Sequence, residues 1–194
     1  MRTVTSAESG FPTALERLRT VQVRPEFRLD ETPAPQRLAP FAAAIAAEST
    51  GSEDLATGRF VLLHDPDGVD EWDGTYRAVV FVRASLERDV VDDPMVHEVG
   101  WSWLLDCLHE AGAEVTQLGG TVTRSSGQSF GSMHERPADG FVEIRASWTP
   151  IGPDRVEESM DRHVAAWALL LSTAAGLPPL PEGVSTVRPR RASE

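Results

Sequence analysis

Three His-Glu dipeptides stand in the chain, at His97-Glu98, His109-Glu110 and His134-Glu135. On a helix, His followed by Glu opens a zinc-protease signature, but that chemistry needs a second imidazole four residues after the first so that both face one metal. Those positions hold Trp101, Ala113 and Ala138, and the spacing excludes the site. Asp65, Asp67, Asp70, Glu71 and Asp73 crowd one segment, as the ligands of a calcium loop do. Such a loop wants an oxygen donor at its fifth position and glycine at its sixth; here Val69 and Asp70 stand there, and the cluster reads as a solvated turn. Cys107 and His109 are two apart on a helical stretch, so they do not face each other as nucleophile and base. Gly100-Trp101-Ser102-Trp103 lacks the closing glycine of a nucleophile elbow, with Leu104 in its place. No metal, cofactor or catalytic residue is expected, and the chain leans away from being an enzyme.

All eighteen basic side chains are arginine. Without lysine there is no Schiff-base amine, pyridoxal-phosphate anchor or phosphate-loop lysine, whatever genomic bias produced the composition. An anion site must therefore be built from guanidinium forks. The stretch Thr121 to Arg136 is more polar than structure alone requires. Arg124, Ser126, Gln128 and Arg136, with Arg145 and Arg77 as possible cross-strand neighbours, are the candidate donors to a carboxylate or phosphate. The plainer reading of that stretch is a sheet-edge strand leading into a hairpin loop. Trp101, Trp103, Trp148 and Trp167 fall in apolar helix or strand patterns, which suits core packing better than a base-stacking platform.

The elements that must position these groups follow from periodicity. Phe11, Leu15 and Leu18 predict a helix over 12–22, and Leu38, Phe41, Ala42, Ile45 and Ala46 predict a second over 36–49. The prolines at 25, 33 and 35 predict an extended connector between them. Arg59 to His64 reads as a strand ending in the turn Asp65-Pro66-Asp67-Gly68. Thr75 to Ser85 is the clearest strand, apolar on both parities from Ala78 to Val82, so both of its faces should be covered. Val79 and Phe81 must then be buried by the N-terminal helices or by a second subunit. A helix follows from Pro94 to Gly112, then a Thr/Gly-rich strand from Glu114 with a bulge or turn at Gly119-Gly120. Phe141 to Thr149 alternates as a half-buried strand, and Pro153-Asp154 opens a last helix to about Ala175. The expected fold is α+β, an antiparallel sheet of about four strands with helices packed on it, in the order ααββαββα.

The 194 residues fit a single domain over 11–176, with a flexible N-terminus at 1–10 and a Pro-rich, disordered tail at 177–194. The longest apolar run, Phe41 to Ala47, is far short of the roughly 20 residues a membrane span needs. One cysteine closes no internal disulfide, which suits the cytoplasm. The net charge is −12, and residues 48–114 carry sixteen acidic side chains against four arginines while the remainder holds fourteen of each sign. That balance argues against direct nucleic-acid binding.

RLAP (Arg37 to Pro40), TGRFVLLHDP (Thr57 to Pro66), WDGTYRAVVFVRA (Trp72 to Ala84), EVGWSWL (Glu98 to Leu104), GGTVTR (Gly119 to Arg124), EIRASWTP (Glu143 to Pro150) and AAGLPPLP (Ala174 to Pro181) occur in that order. In these motifs the chain resembles the actinobacterial domain-of-unknown-function family numbered three thousand, from about residue 10 to 184. The resemblance brings no activity, cofactor or catalytic residue with it; members are often encoded beside ribonuclease D, an association with RNA metabolism only. The expected function is a non-enzymatic interaction module with an acidic surface, docking a protein partner or a second copy through the second sheet face or the 48–114 surface. The alternative is a small-molecule or anion-binding protein, conceivably an enzyme, with an arginine/serine pocket around 121–147.

Overall fold

The structure, a computed structural model, describes residues 10–51, 55–87, 90, 92–134, 139–152 and 155–178. Most of the expected flexible N-terminus and Pro-rich tail, and Arg136, lie outside the described residues. The elements run α1 (Phe11–Leu18), β1 (Phe27–Thr32), β2 (Phe41–Ser49), β3 (Ala56–Val69), β4 (Gly74–Ser85), α2 (Val96–Glu110), β5 (Val115–Gly127), β6 (Asp139–Pro150) and α3 (Met160–Ala174). The six strands form one sheet in the order β1-β2-β3-β4-β6-β5, every neighbouring pair antiparallel. This corrects the expected four-stranded sheet and the order ααββαββα.

The extra strands come from the N-terminal third. β1 alternates Phe27 and Leu29, packed into the main core, with exposed Arg28 and Asp30. The alanine-rich stretch at 36–49 has helical spacing, yet Phe41–Ser49 is a strand hydrogen-bonded on one side to β1 and on the other to β3. Alanine's helix preference is worth only about 0.5 kcal/mol per residue. Two backbone ladders and the burial of Ala44 and Ala47 override it. β3 runs past His64 through an irregularity to Val69, so the hairpin turns at 70–73 and the Asp65–Gly68 segment is part of the strand.

Cross-strand register assigns the two faces. Phe60 and Leu62 stand beside Val80 and Ala78 and lie under the helices; Arg59, Val61 and Leu63 stand beside Phe81, Val79 and Arg77 and face the other way. α3 seats on the first face: the Trp167 indole N–H donates to the Phe81 carbonyl at 3.3 Å, and its ring lies 6.1 Å from Phe60. Gly58 makes this possible, because a Cβ there would stand 3.1 Å from the Trp167 ring. α2 turns Leu104, Cys107 and Leu108 inward, and burial pushes the Cys107 thiol up to about 11. The small α1 packs against α3 and the 156–159 turn, so it adds to the helical layer. It does not cover the second face, contrary to one expected way of burying Val79 and Phe81. On that second face the segment 33–40 packs Ala34 and Ala39 against Ala44, Val61 and Leu63, at one side only. None of the described helices is long and apolar enough to cross a membrane.

His163 on α3 is fully buried, accepting the Trp148 indole N–H at its Nδ1 over 3.2 Å, while its Nε2 has no partner among the described residues. Burial lowers its pKa from 6.5 to about 4, with weaker opposing effects from the Asp161 and Arg162 charges. A group whose folded pKa is depressed favours the unfolded state once that state takes up the proton. Stability should therefore fall as pH drops from 6.5 towards 4 and level off below, by about 3 kcal/mol from this residue. Urea unfolding across that range should show the decline in the native protein and a flatter profile in His163→Leu. The orphaned indole lowers the variant's stability by an amount independent of pH, so only identical slopes would contradict the assignment.

Candidate ligand-binding face of the sheet

The candidate donors from the sequence do not share one surface. On β5, Arg124 lies opposite Val142, a core residue, and its guanidinium donates to the Asp93 carbonyl at 2.8 Å, tying the strand to the segment before α2. Ser126 has the same parity, opposite Gly140, and Gln128 lies exposed beyond the strand end. Arg145 and Arg77 belong to the opposite face, Arg145 between Phe81 and Thr121, Arg77 beside Leu63. The structure thus separates Arg124 and Ser126 from Arg77 and Arg145.

What it brings together instead is the middle of the face without described helices, here the open face. Two rows cross it. Arg59, Phe81, Arg145 and Thr121 form one, and Val61, Val79, Ser147 and Gly119 the next. Val61 is buried beneath the 33–40 segment, whereas Val79 and Phe81 are half-buried, with no described helix over them. A concavity of about 420 Å³ lies between these rows, open along the sheet rather than enclosed. Val61, Val79 and Phe81 form its floor, Arg59 and Arg145 its sides, and the Gly119–Thr121 backbone its far end.

The far end is shaped by a bulge. β5 and β6 lose register between Thr116 and Gly119, where Gln117 takes a φ of 50°. Arg77 braces this irregularity from two strands away. One of its terminal nitrogens donates to the Gln117 carbonyl at 3.0 Å and to the Thr149 hydroxyl at 3.1 Å, the other to the Ser147 hydroxyl at 2.8 Å. The Thr149 hydroxyl in turn donates a hydrogen bond to the Trp72 carbonyl. Partial burial lowers the Arg77 pKa, a cost these bonds offset. Just beyond, β5 closes onto β6 so tightly that a Cβ on Gly120 would overlap the Arg145 carbonyl oxygen, whereas one on Gly119 would meet nothing within 4 Å.

The electrostatics of the open face run against those of the chain. Arg59, Arg77, Arg83 and Arg145 stand on the open face of β3, β4 and β6 with Glu143 as the one described acid on those strands, and Arg28, Asp30 and Glu48 continue the face onto β1 and β2. Arg145 pairs with Glu143 at 2.8 Å and lies 5.4 Å from the Phe81 ring centre; Arg83 stacks 3.6 Å above Phe141. Arg59 donates to the Pro33 carbonyl at 2.6 Å and is otherwise exposed. Asp67, Asp70, Glu71 and Asp73 are exposed at the far end of the β3–β4 hairpin, and Glu98, Asp106 and Glu110 on the outer side of α2. Arginine forks beside an apolar floor suit a ligand that joins carboxylate or other anionic groups to an apolar body. Among the described residues no cluster of three His, Cys, Asp or Glu is placed to hold a metal ion. Arg59, Arg83 and Gly119 were not among the candidates from sequence. The available signal was the apolar character of β4 on both parities, which marked a second face without saying which residues of other strands shared it.

Fold and site together define a one-layer-covered antiparallel sheet that presents an arginine-rimmed apolar hollow on its other side. The family model described as protein of unknown function (DUF3000) matches residues 7–185, and the chain belongs to that family. Neither a search of curated proteins nor a search of solved structures gave a match.

The two adjacent glycines give a paired prediction. Gly120→Ala should force β5 away from β6 and lower unfolding free energy by about 1–3 kcal/mol, as overpacking does. Gly119→Ala, on the open side of the same strand, should stay within about 0.5 kcal/mol of the native protein. Denaturant unfolding of both checks the pair, and equal losses would refute the close approach of the two strands.

Proposed function

We propose that the protein is a non-enzymatic binding module whose working surface is the open face of its sheet, where it docks a protein partner. The observation that carries this reading is the half-buried pair Val79 and Phe81, apolar side chains at the centre of a face that no described helix covers. Exposed apolar patches rimmed by polar groups mark interaction sites. Their arginine rim fits the enrichment of this residue at protein interfaces. A single cysteine, unable to close an internal disulfide, fits a cytoplasmic setting.

A second reading, a small anionic ligand, draws on the hollow's volume of about 420 Å³, within the range of ligand pockets. Its openness along the sheet favours a macromolecular surface, because small ligands need most of their own surface enclosed.

Affinity capture from the native host with three baits tests the main reading. The native chain and Asp92→Arg/Asp93→Arg, changed on the acidic side, should retain the same partner, and Val79→Asp should lose it. Loss from the acidic-side variant with retention by Val79→Asp would move the interaction to the 48–114 surface.

A further inference from the structure

Resting on the reading of the open face as a docking surface, we propose that its occupant is an acidic protein segment carrying at least one bulky apolar side chain. The apolar side chain seats on Val79 and Phe81, beside the buried Val61, and neighbouring Asp or Glu carboxylates meet Arg59, Arg145 and Arg83.

Charge complementarity selects this occupant over the others. The face carries five described arginines (Arg28, Arg59, Arg77, Arg83 and Arg145) against Asp30, Glu48 and Glu143, with Arg28 paired to both Asp30 and Glu48 at the β1–β2 side, so its centre is net positive in a protein whose net charge is −12. A cationic patch set in an acidic molecule is a local feature, since the rest of the surface repels anions at longer range. A second copy docked face to face would set one net-positive face centre against another, an unfavourable juxtaposition. The chain's own C-terminal residues 179–194 carry Arg188, Arg190 and Arg191 against Glu182 and Glu194, the wrong sign for this surface. The guanidinium groups are also held in place. Arg145 stands beside the Phe81 ring and Arg83 over Phe141, while Arg59 is tethered to Pro33. Each of these uses only some of the five donors of a guanidinium, leaving N–H groups to form forks with carboxylates. Arg77 plays another part. Its donors are committed to Gln117, Ser147 and Thr149, so it holds the shape of the hollow and is not a ligand group.

The probe is an unbiased random peptide library displayed on phage and selected on the immobilised full chain. Selected peptides should be enriched in Asp and Glu around one bulky apolar residue. A synthetic copy of the best peptide should bind at least about tenfold more weakly to Arg59→Gln/Arg145→Gln, and should weaken further as salt rises from about 50 to about 300 mM. Arginine-to-glutamine changes at these exposed positions leave the core untouched, and matching thermal unfolding of variant and native chain confirms it. Neutral or basic selected peptides, no selected peptide, or acidic ones indifferent to the arginine variant overturn the proposal. If binding is insensitive to the arginines but abolished by Val79→Asp, the acidic chemistry is wrong while the docking face stands. If neither variant matters, the docking face falls as well. A dimer in solution abolished by Val79→Asp assigns the face to a second copy, and oligonucleotide binding lost in the arginine variant assigns it to nucleic acid; either result overturns the proposal.

Discussion

The seating of α3 on the central strands is the contact on which the rest depends. Trp167 lies over Gly58 and Phe60 and bonds to the Phe81 carbonyl, while Trp148 reaches up from β6 to His163. These contacts place the helix on one face of β3, β4 and β6, and α1 and α2 then pack around it on the same side. A sheet with every described helix on one side has a second face that none of them covers. In most antiparallel sheets that face is polar and needs no cover. Here β4 keeps Val79 and Phe81 on it, and that departure from simple alternation turns a solvated surface into a docking surface.

The charges follow the same division. Acidic side chains occupy the hairpin end and the outside of α2, and the arginines of the central strands gather on the open face. Because arginine is the chain's one permanent cation, every positive group on that face is a planar fork able to stack on phenylalanine and to bind carboxylates in pairs. The hollow also needs a fixed floor. Arg77 supplies that by bracing three strands, and Gly120 by letting β5 close onto β6.

Much of this was legible where local pattern and tertiary role agree. The strand at 75–85, its apolar character on both parities and the helix around Trp101–Leu108 follow from residues that act locally, while the irregularity expected at Gly119-Gly120 falls just before them, between Thr116 and Gly119. The 36–49 stretch misled because alanine satisfies both a helical stripe and a strand between two others; the choice is made by β1 and β3, partners from other parts of the chain. β1 itself hid among prolines that flank the strand without entering it. For the site, Arg145 and Arg77 could be named from sequence, but their companions could not. Which residues share a face depends on register, and a shift of one residue would have exchanged Arg59 for Phe60 and Arg124 for Thr123.

The central claim, that one side of β4 is sealed and the other is open, can be measured at two adjacent positions. In a Cys107→Ala background, Val79→Cys and Val80→Cys place one thiol on each side of the strand. In the isolated folded variants, iodoacetamide should alkylate the Val79→Cys thiol, with loss of iodide, within about tenfold of a free thiol's rate, and the Val80→Cys thiol only through unfolding, slower by about a thousandfold or more. Comparable protection at both positions would show that the face is covered, and the account would fail.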